Sequence, residues 1–434
     1  MERGPEGAEL GRGWLARTLP GAQPRDALWL ALMSLSLFVL LLPFASYVAV
    51  LPFVKEEWGL NNTGAGSVYS AYLAGYAFSA LLVIPLTDRF GPRYIFLGSS
   101  VISVVAHVLF ALLATDALSA VVLRAVAGVG LVGVYMPGLR VIAERFTRHG
   151  RGTAMGLFVT AFYGANSVSL ALTGLLLDRL PWREAYLLVS VAAALSLPLS
   201  YLLLRGSRRA VVRAASGRLD LTVLANRRVR YLILGYSLHA AELYVIRVWL
   251  PAFLLAVLVA KGYGTAQAAV LAAGVGGAAL AAGALGPVVG GWLSDRLGRV
   301  PSASVIFAVS GACSWGIGWM MGLSWWAVVA VSVLYGWATA ADSAIYSTAI
   351  TEAAEPSRQG STMALQSFLG FMGGVVGPIL FGAVLDLSPE GLQWGLGFSA
   401  VGALAVIAVF GLSRISSVKR AGPAGVEARS ARRP

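Results

Sequence analysis

The chain has one cysteine and few charged residues. Because Cys313 has no second cysteine to pair with, an intramolecular disulfide and a cysteine-based metal cluster are both excluded. Charged residues make up 12% of the 434 residues, against about 25% in soluble globular domains. Hydrophobic residues make up 58%, and the mean hydropathy is +0.76. These values exclude an ordinary water-soluble protein.

Lysine and histidine are also scarce, which argues against several classes of enzyme. A P-loop needs a lysine directly after a glycine, whereas Lys55, Lys261 and Lys419 follow valine or alanine. The three histidines do not form an H-E-x-x-H motif, and no G-x-S-x-G motif occurs. We therefore predict neither enzymatic activity nor a bound cofactor, and the energy source that remains is a proton or ion gradient.

Long apolar runs dominate the rest of the sequence. About 20 apolar residues cross a bilayer as a helix, and the sequence contains twelve such runs. We predict an all-α, multi-pass membrane protein. The expected spans are 27–54, 63–87, 93–114, 117–143, 152–177, 183–204, 230–256, 265–293, 302–321, 325–350, 360–385 and 391–413.

The basic residues predict the orientation of these spans. Of the 33 Lys and Arg residues, 26 fall in one set of alternate connections and four in the other. Since positively charged loops stay in the cytoplasm, both termini should be cytoplasmic. The excess of positive charge then reflects membrane topology rather than binding to nucleic acid. The arginine-rich, lysine-poor composition and short tails favour a bacterial inner membrane.

The sequence repeats itself across its longest connection, which carries eight arginines between the sixth and seventh spans. "TDRFGPR" at 87–93 recurs as "SDRLGRV" at 294–300, and "RGTAMGL" at 151–157 recurs as "QGSTMAL" at 359–365. Such a duplication is typical of transporters that bind a solute near the membrane midplane. The expected division is an N-tail (1–26), a six-helix bundle (27–204), a linker (205–229), a second bundle (230–413) and a C-tail (414–434).

Two motifs in the sequence resemble those of one family of transporters. The loop Asp88-Arg89-Phe90-Gly91-Pro92-Arg93, with its echo at 291–299, resembles the loop between spans two and three of the major facilitator superfamily. Arg124, Gly128 and Gly130 resemble the R-x-x-x-G-x-G pattern of that family's fourth span. The resemblance runs from about residue 27 to 413. It implies twelve helices in two repeats and secondary active transport by alternating access.

The loop motif predicts a cytoplasmic gate. A carboxylate beside arginines at the cytosolic mouth of the bundle can form a charge-assisted bond across the two halves, and such a bond made in one conformation only biases the equilibrium. The alternative is that the arginines only set topology and the aspartates are exposed helix caps. Pro85 and Leu86 stand where the family has a glycine, which puts a close helix contact there in doubt. The gate candidates are Asp88, Arg89, Gly91, Arg93, Asp295, Arg296, Gly298 and Arg299.

Ionisable residues inside spans are the candidates for solute binding or coupling, because a charge in hydrocarbon is costly and usually faces a cavity or a partner. His239 and Glu242 share one face of span seven as a possible proton site, whereas Arg247 points elsewhere and could bind an anion. Bonds between helices are the structural alternative. For His107, packing is the favoured interpretation.

Two further groups of polar residues complete the candidate site. In span ten, four residues spaced at helical intervals form one stripe, with Asp342 as a second proton or cation site. In spans four and five, Arg124 is a functional or snorkelling arginine, and two neighbours could line a cavity wall. The members are Tyr335, Thr339, Asp342, Tyr346, Arg124, Tyr163 and Asn166.

The substrate stays open between two kinds of solute. Spans two and eight lack the arginines of nitrate porters, and span five lacks the proline motif of proton-coupled drug exporters. Buried bases and acids together favour a small organic anion moved with protons by a monomeric symporter. Efflux of amphipathic drugs past the aromatic residues is the alternative. A receptor or assembly protein on the same fold, without transport, is a third possibility.

Overall fold

A computed structural model of the chain describes residues 23–146, 151–205 and 220–420, apart from the side chains at 84, 85, 87–89, 152, 357 and 415–420. These residues form α-helices and two short 3₁₀ helices, Leu221–Ala225 and Pro356–Arg358. The α-helices, in chain order, are α1 Pro24–Leu40, α2 Ser46–Glu57, α3 Asn62–Phe90, α4 Pro92–Leu113, α5 Ala117–Arg145, α6 Arg151–Leu176, α7 Trp182–Ala193, α8 Ser196–Leu204, α9 Arg227–Ala260, α10 Thr265–Leu297, α11 Arg299–Ile317, α12 Trp325–Ala341, α13 Ser343–Ala353, α14 Gln359–Leu387 and α15 Gln393–Arg420.

The predicted all-α architecture is confirmed, and no strand occurs in the described part of the chain. Eleven helical segments there are long and apolar enough to cross a membrane. The remaining predicted span, 27–54, is divided into α1 and α2 by a turn at 41–45. Span ten is also interrupted, since α12 ends at Ala341 and α13 begins at Ser343.

The glycine of the loop motif adopts a positive φ angle in both repeats. Gly91 and Gly298 occupy corresponding turns in the two repeats, with φ of 84° and 90°. Side chains disfavour this left-handed region, and glycine adopts it freely. Each glycine directly precedes a helix, α4 or α11. The duplicated "DRxG" pattern is therefore a helix–turn–helix corner as well as a charged motif.

A second duplicated glycine brings helix backbones together. A Cβ on Gly128 in α5 would collide with the backbone oxygen of Tyr72 in α3. Gly336, 208 positions later, lies in the same way against the backbone oxygen of Ala279 in α10. Small residues allow this close approach where helices pack without water. In each repeat a glycine at this position thus lets the fourth span pack closely against the second.

The described helices form two compact units. One contains the described residues up to Leu60, those within 71–215, and Gly264–Gly277, and the other contains Asn61–Ser70, the described residues within 216–263, and those from Ala278 to Arg420. In the second unit, a cluster of buried side chains surrounds Ile345 and Tyr346 and holds α9, α11, α13 and α14 together. The first turns of α3 and of α10 are each assigned to a different unit from the rest of their helix.

The start of α3 is capped by a carboxylate from α14. Asp386 Oδ1 accepts hydrogen bonds from the backbone N–H of Asn62 (2.9 Å) and from its side-chain Nδ2 (2.7 Å). Its Oδ2 accepts from the N–H (2.8 Å) and hydroxyl (2.7 Å) of Thr63. Asn61 Oδ1 accepts from Gly64 N–H at 2.8 Å. First-turn amides of a helix have no partner within the helix, and a negative charge there is favourable.

Replacing Asp386 with Asn should weaken this cap. The amide keeps one acceptor oxygen but loses the charge, so we expect a loss of about 1 kcal/mol in unfolding free energy and faster hydrogen exchange at Asn62 and Thr63. Asp178→Asn is the matched control, because Asp178 occupies the equivalent position in the first repeat and its side chain makes no hydrogen bond with the described residues. Equal effects of the two substitutions on exchange at α3 would contradict the assignment.

Glu57 connects the end of α2 to the start of α7. Its Oε2 accepts a hydrogen bond from Trp182 Nε1 at 2.5 Å, and its Oε1 pairs with Arg183 Nη2 at 2.7 Å. Burial alone would raise the pKa of Glu57, but the bonds from Trp182 and Arg183 outweigh it and hold this pKa below the ordinary 4.5. Glu57 lies beyond the predicted span 27–54.

The lowered pKa of Glu57 predicts a pH dependence of stability. The folded state favours the ionised carboxylate, so its contribution is present above the ordinary pKa and is lost as the pH falls from about 5 to about 3. We expect Glu57→Gln to reduce the drop in unfolding temperature over this range. Glu184→Gln, on the first turn of α7, serves as the control and should leave the drop unchanged. A full-sized drop in the Glu57→Gln protein would refute this account.

Candidate functional site

Arg124 is a buried cation in the first unit. Its side chain is 1% exposed and lies over two tyrosine rings, with Cζ 5.2 Å from the centroid of Tyr47 and 4.7 Å from that of Tyr72. Among the described residues, Arg124 has no ion-pair partner, and its Nε and Nη1 atoms make no hydrogen bond. Gly128, one turn further along α5, sits against the backbone of Tyr72 and so brings the guanidinium to that ring.

A hydrogen-bonded pair lies beside this arginine. His107 Nδ1 is 2.8 Å from the hydroxyl of Tyr186, which also lies close to Arg124. The His107 ring packs near Tyr72, with 5.9 Å between ring centroids. His107 is buried, as expected for a packing histidine, and its hydrogen bond places it next to the cation as well.

The two polar residues of span five differ in their surroundings. Asn166 is buried, and its Nδ2 donates to the backbone oxygen of Phe162 in its own helix at 2.7 Å. Tyr163 is half-buried, and its ring contacts that of Phe162 with centroids 5.9 Å apart. The amide of Asn166 is thus already bonded within α6. A role in a cavity wall stays a prediction for both residues.

In the second unit, His239 joins α9 to the interruption in span ten. Its Nδ1 is 2.8 Å from Asp342 Oδ1, and its Nε2 is 2.8 Å from Ser343 Oγ. Both His239 and Asp342 are at most 2% exposed. Gly235 leaves room for the adjacent ring of Tyr346, because a Cβ there would lie 2.7 Å from Tyr346 Cε1. The histidine therefore has a carboxylate partner inside the bundle.

Glu242 lies one turn after His239 and is 1% exposed. Ser310 Oγ in α11 donates to its Oε2 at 3.0 Å, whereas its Oε1 makes no hydrogen bond with the described residues. Asp342 is close enough to act on Glu242 electrostatically, and the Tyr335 hydroxyl also faces this carboxyl group. The structure thus brings two acidic groups together in a buried position.

The stripe predicted in span ten is buried along its whole length. Tyr335, Thr339, Asp342 and Tyr346 are each at most 1% exposed. The Thr339 hydroxyl bonds to the backbone oxygens of Tyr335 (3.1 Å) and Gly336 (3.2 Å) in its own helix. Asp342 and Tyr346 pack around His239 instead. These contacts around His239 would also be expected if the residues served only to hold the helices together. A coupling role therefore stays a prediction.

Arg247 lies further along α9. Its guanidinium is over the ring of Tyr244, with Cζ 5.0 Å from the centroid, and the residue is 7% exposed. It is separated by five positions from Glu242 on the same helix, and Pro251 follows it. Arg247 is therefore a second buried arginine, in the same unit as the acids.

The loop motifs form local bonds. Arg299 pairs with Asp295 at 2.7 Å and with Glu352 at 2.9 Å, and all three lie in the second unit. Arg93 Nη1 donates to the backbone oxygen of Arg205 at 2.9 Å. Arg296 lies over the ring of Trp292 at 4.1 Å. The side chains of Asp88 and Arg89 are outside the described residues, so the gate stays a prediction.

Sequence reasoning missed the partners of the charged residues. Tyr47, Tyr72 and Tyr186 surround Arg124, and Ser310 and Ser343 contact Glu242 and His239. A signal for Ser310 exists in the sequence. The buried serines of α11 at 302, 310 and 314 share one helical face in an otherwise apolar span.

Comparison with known proteins agrees with this architecture. A family model described as the Major Facilitator Superfamily matches residues 33–326 and 275–433. The gallate transporter of Pseudomonas putida is 26% identical over 428 residues, covering 88% of this chain and 91% of the relative. A probable sulfoacetate transporter of Cupriavidus necator is 27% identical over 290 residues, covering 62% of this chain and 64% of the relative.

A solved structure shows the same fold. The nucleoside transporter NupG aligns with a TM-score of 0.73 at 13% identity, covering 89% of this chain and 99% of that structure. The chain therefore belongs to the Major Facilitator Superfamily, as the loop and fourth-span motifs predicted. It is a multi-pass membrane transporter and not an enzyme.

Proposed function

We propose that this transporter carries a small organic anion together with a proton by alternating access. The observation that carries the proposal is the buried guanidinium of Arg124, which has no carboxylate partner among the described residues. An unpaired charge out of water is costly. Each tyrosine face offsets about 0.5–2 kcal/mol of that cost, and an anionic solute would offset more.

The chemistry of the relatives supports an organic anion. Gallate and sulfoacetate, named for the two transporters above, each carry a carboxylate, and sulfoacetate also carries a sulfonate. Arginine binds such oxyanions through charge-assisted hydrogen bonds, which are the stronger kind. The rings of Tyr47 and Tyr72 and the hydroxyl of Tyr186 would then form the remaining walls of the anion site.

The buried acids in the second unit support coupling to protons. Glu242 and Asp342 are buried within the bundle, and His239 lies 2.8 Å from Asp342, so three side chains of the types that commonly exchange protons lie in one unit. Binding of a proton at Glu242 or Asp342 would remove one negative charge while the solute neutralises Arg124. The loaded transporter would then move less uncompensated charge. No cofactor is needed beyond the gradient.

The remaining parts of the proposal concern topology and the gate. The distribution of Lys and Arg supports cytoplasmic termini and a bacterial inner membrane. The loop motif is proposed to form the cytoplasmic gate on the strength of its sequence, while the ion pairs of Arg299 with Asp295 and Glu352 lie within the second unit. A single chain supplies all of these features, which favours a monomer.

Ligand-induced stabilisation of the detergent-purified protein tests the anion site. Gallate, benzoate or sulfoacetate should raise the unfolding temperature, because a ligand at 100 times its Kd stabilises the folded state by roughly 2.7 kcal/mol. We expect Arg124→Gln to abolish this shift. Arg247→Gln is the matched control, a second buried arginine over a tyrosine ring, and should retain most of it.

Two outcomes would change the assignment. If Arg247→Gln loses the shift and Arg124→Gln keeps it, the anion binds in the second unit. If amphipathic cations stabilise the protein instead, and Glu242→Gln or Asp342→Asn removes that effect, efflux of amphipathic compounds replaces anion transport.

Flux measurements in proteoliposomes test the coupling site. Glu242→Gln cannot release a proton at this position, so accumulation driven by a proton gradient should fall at least tenfold, while exchange of labelled for unlabelled anion continues. Asp342→Asn is assayed in parallel, with Thr339→Val as a control on the same stripe. If both acid variants keep pH-driven accumulation, neither residue is the coupling site.

A further inference from the structure

Ser310 is a buried serine on α11 whose hydroxyl faces two acceptors. Its Oγ lies 3.0 Å from Glu242 Oε2 in α9 and 3.1 Å from the backbone oxygen of Phe307 in its own helix. A hydroxyl has one hydrogen and can also accept. Ser310 can therefore donate to only one of these oxygens at a time, and rotation of the hydroxyl changes which one.

The charge on Glu242 decides between the two acceptors. An ionised carboxylate forms a charge-assisted bond, which is about twice as strong as a neutral one, so the hydroxyl donates to Glu242. When Glu242 carries a proton, that advantage is gone and the carboxyl group itself becomes a donor. The Ser310 hydroxyl then donates to Phe307, and its oxygen accepts from the carboxyl group. Both states fit the same positions of the heavy atoms.

We propose that Ser310 is a positioning residue that lowers the proton affinity of Glu242 by donating to its ionised form, and so sets the pH range of coupled transport. This inference rests on the proposed role of Glu242 as a coupling residue. Ser310 does not belong to a known sequence motif. The proposed role follows from the distances of its Oγ to Glu242 Oε2 and to the backbone oxygen of Phe307. Because Glu242 Oε1 makes no hydrogen bond with the described residues, the loss of one donor to Oε2 should be felt strongly.

Other titratable groups face the same carboxyl group. Asp342 acts on it from the interruption in span ten, and His239 lies one turn earlier on α9 with Asp342 and Ser343 as partners. Tyr335 and Tyr346 face it from α12 and α13, and Cys313 from α11. Ser310→Ala leaves all of these groups in place, so a change in titration reports on the lost hydroxyl.

Infrared difference spectroscopy of the purified full-length protein measures the proton affinity without any solute. The carboxyl band that Glu242→Gln removes is followed as the pH is changed. In Ser310→Ala, we expect its midpoint to move upward by about one pH unit, since a hydrogen bond to a charged group corresponds to about a tenfold change in proton affinity. The pH optimum of gallate or benzoate uptake should move in the same direction.

Two variants separate this role from a structural one. Ser310→Thr keeps the hydroxyl and should keep the midpoint of the original protein. Ser302→Ala removes another buried serine two turns earlier on α11, whose hydroxyl has no hydrogen-bond partner among the described residues, and should not move the midpoint. Unfolding temperatures of all three variants show whether each still folds.

The outcomes distinguish this inference from the proposed function. If Glu242→Gln removes no titrating band and coupling persists, Glu242 is not the coupling residue, the role of Ser310 fails with it, and the proposed coupling then depends on Asp342. If the band is present but stays within about 0.3 pH units in Ser310→Ala, or moves equally in Ser302→Ala, only the role of Ser310 is wrong. A shift in Ser310→Ala alone, reversed in Ser310→Thr, supports it.

Discussion

A charge inside a membrane protein must have a partner, because neither lipid nor a packed helix bundle solvates it. This constraint accounts for most of the polar architecture. His239 lies 2.8 Å from Asp342 and hydrogen-bonds with Ser343, and Glu242 receives a hydroxyl hydrogen from Ser310. Arg124 has only the faces of two tyrosines and the neighbourhood of a third. Among the described residues Arg124 has no ion-pair partner, and in the proposed function an anionic solute supplies one.

The two repeats share the glycines that shape the backbone but differ in their buried ionisable side chains. Gly91 and Gly298 form equivalent turns, and Gly128 and Gly336 form equivalent close contacts. The loop motif keeps its charged residues in both repeats, but the buried ionisable residues of the described spans do not follow the repeat. The arginine of the fourth span, Arg124, corresponds to Ser332, 208 positions later, and the buried acids among the described residues, Glu242 and Asp342, lie in the second unit. A common scaffold thus carries different buried ionisable residues in its two units, with His107 and Arg124 in the first and His239, Glu242, Arg247 and Asp342 in the second.

The fold was predictable from the sequence because its signals are local. Apolar length, alternating positive charge and two duplicated motifs each depend on short segments, and they led to the twelve-span architecture and the family. The turn at 41–45 and the interruption at Asp342 were not predicted, since each lies inside a segment whose length and mean hydropathy suit a single span. Hydropathy averaged over a span does not detect a change of one or two backbone angles.

The candidate site was only partly predictable, for a related reason. An ionisable residue in an apolar run is conspicuous, so Arg124, His239, Glu242 and Asp342 could be named. Their partners are serines and tyrosines, which are common in spans and carry no charge. Whether Ser310 faces Glu242 or lipid depends on how α11 is rotated against α9, and that rotation results from packing across many residues.

The cap on α3 has a consequence for the order in which the protein can be completed. Asp386 and Asn62 are 324 positions apart, so the ribosome makes the acceptor on the order of half a minute after the donors. During that interval the second span is already in the membrane, and its first amides must be hydrogen-bonded by water or lipid headgroups. The carboxylate of Asp386 becomes available to cap these amides only when the eleventh span has been inserted. One of the earliest helices to be synthesised is thus among the last to be finished.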